Sequence, residues 1–525
     1  MTGGIFRSKT ISRIGVLALI SIIFSQNFHA QNPKREFRGV WVATVANIDF
    51  PYRKGLNETE FTKEWEDLTD FYAERNFNAI IAQIRPVCDA FYPSNSAPWS
   101  EYYSGAQGVN REDNFDPLEM MVDVCRKKGL EFHAWLNPYR ATMNTDVSNL
   151  HKFHPLTQYP EWGVQYGNRW YLNPALPEVR NYITEIIEEL LINYDLDAIH
   201  FDDYFYPYKI AGTEFPDSLD YQKYGFGFYN IEDWRRHNTD ELIKQVSKKI
   251  KAVSPHVKFG ISPFGVWRNI DNDPVNGSNT RAGQTSYDDL FADILKWSEN
   301  GWIDYVVPQL YWHIGHPAVD YETLINWWNE RTFDRHLYIG QAAYKIANDS
   351  YENWNSRKET PNQILMSRAT ENVSGNVFFS SKPMRRNVLG VSDSLSQNYY
   401  RTKALLPEMT FLETEETAPP VLNKVKMRKG KMELKWTRPE KDLDDVYCVV
   451  YRFPEAKPED FDNPENILTI TSVSDKRNWK YTDDSFEKGL TYTYVISTVN
   501  RAHIESDLSN YRTIKVQSKG IQRIR

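Results

Sequence analysis

Cysteine is scarce in this chain: Cys88, Cys125 and Cys448 are the three among 525 residues. An odd number without ligand spacing excludes a disulfide framework and a thiolate zinc site. Positive charge is also short. Seventy acids against 62 lysines and arginines leave a formal charge of -8, and a nucleic-acid partner would need a basic face. Membrane-length apolar runs are missing as well, since Ile14 to Phe24 is too short to span a bilayer comfortably. That run follows Arg7, Lys9 and Arg13 and precedes Ala30, which fits a cleavage position. Residues 1–30 therefore read as an export signal, and the mature protein is expected to be periplasmic or extracellular without a membrane span. No cysteine follows the cut to carry a lipid anchor.

What is present is the material of a globular chain, 41% hydrophobic and 25% charged, with 14% aromatics, enough to expect a surface that uses rings. The length implies two or three domains. From Glu36 onward, apolar strand-like runs alternate with helical periodicity. Phe61, Trp65, Leu68 and Tyr72 share a helical face; Ala79–Ile84 reads as a strand; Asp116-Pro117 opens a helix that Gly129 closes; and Glu131–Leu136 is a strand again. Strands at Ala198–Phe201, Lys258–Ser262, Ile303–Leu310, His336–Ala342 and Asn376–Ser381 follow further helices and bring the count to eight. Runs that are apolar without strict alternation suit parallel strands buried on both faces, so a (β/α)8 barrel over residues 34–410 is expected. A doubly wound open sheet is the alternative, but no glycine-rich nucleotide turn follows the first strand.

Residues 411–420 read as an acidic, proline-ended linker. Beyond it, Met432, Leu434 and Trp436 alternate, as do Tyr492, Tyr494 and Ile496, with no helical period. Residues 421–518 thus read as a small immunoglobulin-like β-sandwich. Trp436 on an early strand and Tyr492 within Gly489-Leu490-Thr491-Tyr492-Thr493-Tyr494 resemble a fibronectin type III module, with Tyr492 as its corner tyrosine. Such modules serve as spacers or docking elements, so no chemistry is expected there.

The stretch Asp197-Ala198-Ile199-His200-Phe201-Asp202-Asp203-Tyr204-Phe205-Tyr206-Pro207 runs a buried strand into paired acids and then into rings. In a parallel barrel the carboxyl ends of the strands form the catalytic face. The other exits carry Asp49, Arg85 and Asp89, Asn137 and Arg140, Trp267 and Arg268, Gln309 with Tyr311 and Trp312, Lys345, and Lys382. Glycoside cleavage needs one carboxylate facing the developing oxocarbenium carbon, a second that donates a proton, and polar groups and rings that hold the sugar. Strand alternation sends His200 and Asp202 to the same side, so Asp202 is the expected nucleophile or charge stabiliser, oriented by His200. Asp203 is the nearest candidate proton donor and Asp89 the next. Arg85, Asp89, Asn137, Arg140, Trp267, Gln309, Tyr311, Trp312 and Lys345 are the expected substrate contacts, with a polysaccharide as partner and neither metal nor cofactor. Each has a plain structural reading beside it: a loop cap, a salt bridge, a core histidine or a packed ring.

Five ordered segments together resemble the glycosyl hydrolase-like 10 family. They are Arg38-Gly39-Val40-Trp41, Arg85-Pro86-Val87-Cys88-Asp89-Ala90-Phe91-Tyr92, Trp135-Leu136-Asn137-Pro138, Tyr171-Leu172-Asn173-Pro174 and His200-Phe201-Asp202-Asp203-Tyr204-Phe205-Tyr206-Pro207. The likeness runs from about Glu36 to about Leu405. It implies an exported bacterial barrel glycosidase acting on peptidoglycan glycan strands, particularly peptide-stripped ones, with Asp202 and Asp203 in the fourth-strand motif. The same stretch has the layout of the chitinase-type motif, except that Tyr204 stands where that family has its acid glutamate. Two other functions stay open. Phe201-Asp202-Asp203 with His313 and His316 downstream echoes metal-dependent polysaccharide deacetylases, although Gly315 and Pro317 break any helix there. A barrel that only binds glycans is the other.

Overall fold

The computed structural model describes residues 32–109, 115–414, 417–438, 445–454, 457–472, 478–518 and 520–524, so the expected signal at 1–30 lies outside the described residues. In chain order, β1 (Phe37–Val42), β2 (Ala79–Arg85) and β3 (Glu131–Leu136) are followed by a hairpin of β4 (Gly163–Tyr166) and β5 (Arg169–Leu172). Then come β6 (Ala198–Phe201), β7 (Lys258–Ile261), β8 (Tyr305–Val306), β9 (His336–Gln341) and β10 (Val373–Phe378). Among the described residues the eight strands other than the hairpin form a closed barrel of parallel pairs. Closure is direct, because β1 pairs with both β2 and β10. The expected barrel is thus the observed one, and the open sheet is excluded.

The helices lie where periodicity puts them, and their ends are chemically marked. Asn57 and Glu60 form a reciprocal capping box at the start of Glu58–Ala73, whose Phe61, Trp65, Leu68 and Tyr72 are buried. Asp116 accepts from the backbone N–H groups of Leu118 and Glu119 ahead of Pro117–Lys127. Each barrel strand buries both faces. Val40, Ile80, Phe132, Ile199 and Phe259 pack outward in the main core with the helices, whereas Phe37, Ile81, Trp135, Tyr305 and Tyr338 pack together in a separate core. The latter is tight enough to need glycine beside its rings: a β-carbon on Gly260 would fall 1.9 Å from the Tyr305 ring.

A polar line also runs through that interior. The Trp41 indole N–H donates to His200 Nε2 at 3.3 Å, which makes Nε2 an acceptor and puts the ring proton on Nδ1. That proton faces the Tyr305 hydroxyl at 3.0 Å, which in turn lies 2.7 Å from His133 Nδ1. His133 Nε2 then lies 3.0 Å from Glu131 Oε2. Burial depresses both histidine pKa values, His200 well below the usual range, so both rings are neutral links. At its far end Glu131 pairs with Lys258 and, at 2.7 Å, with His503 of the C-terminal domain. Burial opposes the Glu131 charge, but Lys258 and His503 outweigh it and hold its carboxyl well below the usual range.

The C-terminal region is all β. β11 (Val421–Arg428), β12 (Lys431–Thr437) and β15 (Asn478–Asp483) form one antiparallel sheet. β13 (Asp445–Phe453), β14 (Ile467–Ser472), β16 (Thr491–Asn500), β17 (Arg512–Gln517) and β18 (Gly520–Arg523) form the other. Leu434 and Trp436 of the first sheet pack with Tyr494 and Ile496 of the second. The Tyr492 hydroxyl accepts from the Glu487 backbone N–H at 3.0 Å. The junction is packed rather than extended. Leu406, Met409, Leu412 and Ala502 share a core with the barrel interior, and Arg501 pairs with Asp195 at 2.9 Å. The expected linker at 411–420 therefore begins inside a contact.

Glu131→Gln removes the charge that three buried groups, His133, Lys258 and His503, meet at this junction. The expected result is a loss of about 3 kcal/mol or more in urea unfolding. A loss under about 1 kcal/mol would contradict the reading of Glu131 as the link between barrel and β domain.

Candidate active site

The barrel register builds the site. Trp135 of β3 pairs with His200 of β6, and Leu136 with Phe201, so the next residues on the two strands, Asn137 and Asp202, emerge side by side. The Asp202 carboxylate accepts from Trp135 Nε1 at 3.0 Å, from Asn137 Nδ2 at 3.0 and 3.1 Å, and from the Tyr204 backbone N–H at 3.3 Å. Burial raises its pKa, and the Arg140 cation with these donors works against that rise. Asp203 follows after the chain has left strand geometry, which is why it faces the same cavity instead of diverging. Its carboxylate accepts from the Tyr208 hydroxyl, and the Gln309 side chain is a further donor beside it. Burial first, and then the Asp202 charge, push its pKa up to about 7, with hydrogen bonds from Tyr208 and Gln309 among the opposing effects. Adjacent acids are thus driven apart: one has several N–H donors and a nearby cation, the other a phenol and a like charge.

Both acids line a cavity of about 510 Å³, within the range of small-ligand sites. Its wall is aromatic, with Trp41, Trp135, Trp312, Tyr204, Tyr208, Tyr311, Phe264 and Phe379. The Tyr204 and Tyr208 rings stack at 5.3 Å, and Arg140 lies over Tyr204 at 5.2 Å. Rings of this kind suit the apolar face of a sugar, with polar edges at hand for its hydroxyls. Gln83 supplies such an edge. Its oxygen accepts from the backbone N–H groups of Thr44 and Val45, while its buried Nε2 has no hydrogen-bond partner.

The structure brings together Asp202, Asp203, Arg140, Gln309, Tyr311, Trp312 and Lys345 as cavity lining. Asn137 sits behind the wall and acts on Asp202. Other expected residues fall elsewhere. His200 does not orient Asp202: it lies one step down the barrel, bonded to Trp41, Tyr305 and Ser262, because strand residues two apart are about 7 Å apart along the axis. Arg85 is buried against the Asn137 carbonyl and the Tyr182 hydroxyl, outside the cavity lining. Asp89 is fully buried and also outside it, with burial raising its pKa to about 6. Trp267 stacks on Trp327 at 5.9 Å in the helical layer. His313 and His316 contact each other and Tyr351 off the cavity wall, and among the described residues no cluster of metal-ligating side chains occurs.

Several lining residues were not anticipated. Gln83 could have been noticed as a polar residue inside an otherwise apolar strand, and Tyr208 as a further ring past the acid pair. Arg169 sits on the β4–β5 hairpin, an insertion whose half-buried pattern carries little signal. That hairpin is firmly held: the Ala141 N–H donates to the Trp170 carbonyl at 3.0 Å and the Tyr166 hydroxyl to the Thr213 carbonyl at 3.0 Å.

The model of the glycosyl hydrolase-like 10 family matches residues 36–356. A glycosyl hydrolase of Bacillus subtilis (strain 168), YngK, is 44% identical over 502 residues, covering 94% of this chain and 96% of its own. A glycosyl hydrolase of Escherichia coli (strain K12), DigH, is 36% identical over 372 residues, covering 66% of this chain and 84% of its own. Among solved structures, the PgaB (BpsB) glycoside hydrolase domain from Bordetella bronchiseptica aligns at a TM-score of 0.44 with 13% identity, over 69% of this chain and 98% of that one.

Tyr208→Phe removes the hydroxyl donor to Asp203 and so destabilises its anion. The Asp203 carboxyl should then titrate about half a unit to one unit higher, read by carbon NMR of labelled aspartate. An unchanged or lowered value would show that the phenol does not govern this acid.

Proposed function

The chain belongs to the glycosyl hydrolase-like 10 family, and from that premise we propose that it hydrolyses glycan strands at the β6 rim, with Asp203 as acid and Asp202 as carboxylate. The observation that carries this reading is the divergence of two adjacent acids in one ring-lined cavity. Pairs of titratable groups pushed apart by their surroundings are the mark of acid and base assignments.

In this mechanism Asp203 holds a proton up to about pH 7 and passes it to the glycosidic oxygen as the C1–O bond breaks. The leaving sugar departs as an alcohol. Positive charge develops on the anomeric carbon and ring oxygen, opposite the Asp202 carboxylate, whose position is fixed by Trp135 and Asn137. Water supplies the hydroxyl of the new reducing end, and the proton it loses restores Asp203. Gln83 and Gln309 offer amide groups to the sugar hydroxyls, and Trp41 and Trp312 offer faces to its ring.

The substrate class we assign is the N-acetylated glycan of the cell wall, peptide-stripped peptidoglycan in particular, reached outside the cytoplasm after export. The likeness of the five motifs supports it, as does the run of Arg7, Lys9 and Arg13 ahead of an apolar segment. The β domain serves as a scaffold at the far end of the barrel. A deacetylase would place metal-ligating histidines beside the acids, whereas His313 and His316 lie off the cavity wall.

Wild type incubated with denuded wall glycan, chitin oligomers and plain β-glucans should release shorter oligosaccharides from the first, detected by mass spectrometry. Asp202→Asn and Asp203→Asn should each lower the rate by about two to four orders of magnitude with binding largely retained. Cleavage at the wild-type rate by either variant, or no cleavage of any glycan by wild type, would remove the assignment.

A further inference from the structure

We propose that the outward face of the sheet formed by β11, β12 and β15 is a docking surface for a membrane of anionic lipid headgroups. The inference does not depend on the chemistry of the cavity.

The β domain stands on the base of the barrel by one of its two sheets. Tyr447, Val449 and Tyr451 of β13 pack with Leu405, and His503 reaches Glu131 at the start of β3, the opposite end of the barrel from the cavity. The three-stranded sheet is the layer beyond. Leu422, Val425, Met432, Leu434, Trp436 and Trp479 of that sheet pack against the other one, so strand alternation turns the intervening side chains away from the barrel.

Those intervening side chains are largely cations: Lys424, Lys426 and Arg428 on β11, Lys431 and Lys435 on β12, and Lys480 on β15. Register sets Lys424 opposite Lys435 and Lys435 opposite Lys480, a row of like charges across three strands. Such an arrangement weakens a sheet. Neighbouring acids offset it only in part. Glu433 is shared by Lys426 at 3.0 Å, Lys480 at 3.2 Å and Arg428 at 3.7 Å, and Asp484 meets Lys431 at 2.9 Å. Among the described residues no carboxylate pairs with Lys424 or Lys435. Lysines on the edge strands β11 and β15 can serve to discourage pairing with other chains, but Lys435 lies on the central strand, where that purpose does not apply. Nor does the excess follow from composition, since the chain as a whole has a formal charge of -8.

The spread of the cations points to lipid. Strand spacing and rise place them over an area of roughly 10 by 14 Å, so they meet headgroups in two directions, whereas one polymer strand would follow a single line. Basic side chains gathered at a surface are drawn to anionic lipid, each adding to the attraction. A chain docked by this face would keep its cavity mouth turned away from the membrane.

The test is flotation of the full chain with vesicles of phosphatidylcholine alone or with about one third phosphatidylglycerol. Binding should occur to the anionic vesicles only and weaken steeply between low and physiological salt. Lys424→Gln, Lys435→Gln and Lys480→Gln combined should weaken it by on the order of tenfold or more. The same change of charge at Lys63, Lys223 and Lys244, exposed on barrel helices, should leave it within about twofold. The sheet triple should also unfold at an unchanged or higher urea concentration, since it relieves opposed like charges. Lys435→Glu alone keeps the test available should the triple not fold, and should likewise weaken binding. No binding to anionic vesicles at low salt, equal losses in the two triples, or undiminished binding by the sheet variants overturns the proposal. Capture by soluble polyphosphate without capture by vesicles overturns lipid as the occupant. Turnover is not measured, so failure here leaves the hydrolase reading untouched, and failure of that reading leaves this one.

Discussion

The rim of this barrel depends on one constraint: two carboxylates, one residue apart, are buried beside each other where β6 ends. Neither can be fully solvated, and both cannot comfortably be charged. The fold resolves the conflict by unequal provision. Asp202 receives an indole N–H, an amide and a backbone N–H, with Arg140 close by, while Asp203 receives a phenol and its neighbour's charge. The asymmetry traces to register, since pairing of β3 with β6 puts Trp135 and Asn137 beside one acid and leaves the other to the loop that follows.

The rest of the interior keeps that arrangement rigid. Beneath the acids, neutral His200 and His133 are threaded on the Tyr305 hydroxyl, and the line ends at Glu131, where His503 and Lys258 meet it. The β domain is thereby part of the barrel's base rather than a pendant module. Trp41 serves both ends of this scheme, as donor to His200 and as part of the cavity wall.

The barrel was legible in the sequence because each strand is an apolar run between capped helices, and the acid pair because a buried strand ending in two aspartates is conspicuous. What could not be read were facts about depth and facing. Arg85, Asp89 and Trp267 follow strand exits in the chain but turn into the packing behind the wall, and nothing in their spacing distinguishes an exit that points inward from one that folds back. His200 shares a strand face with Asp202 as alternation requires, yet the axial rise of a strand sets it one layer down. Arg169 lies in an insertion that reaches the cavity wall because of where the hairpin is tied, a long-range property with no local pattern. Likewise, the acidic segment after Glu413 looked like a free linker, whereas Leu412 just before it is anchored in the barrel's own core.

The central claim is that the acid pair works as one ionised and one protonated group, and the pH profile of kcat/KM on a soluble oligosaccharide tests it most directly. The account predicts a bell, rising as Asp202 ionises at low pH and falling above about pH 7 as Asp203 loses the proton it must donate. A rate that stays level from about pH 5 to well past 8, or that climbs across that range, would contradict it.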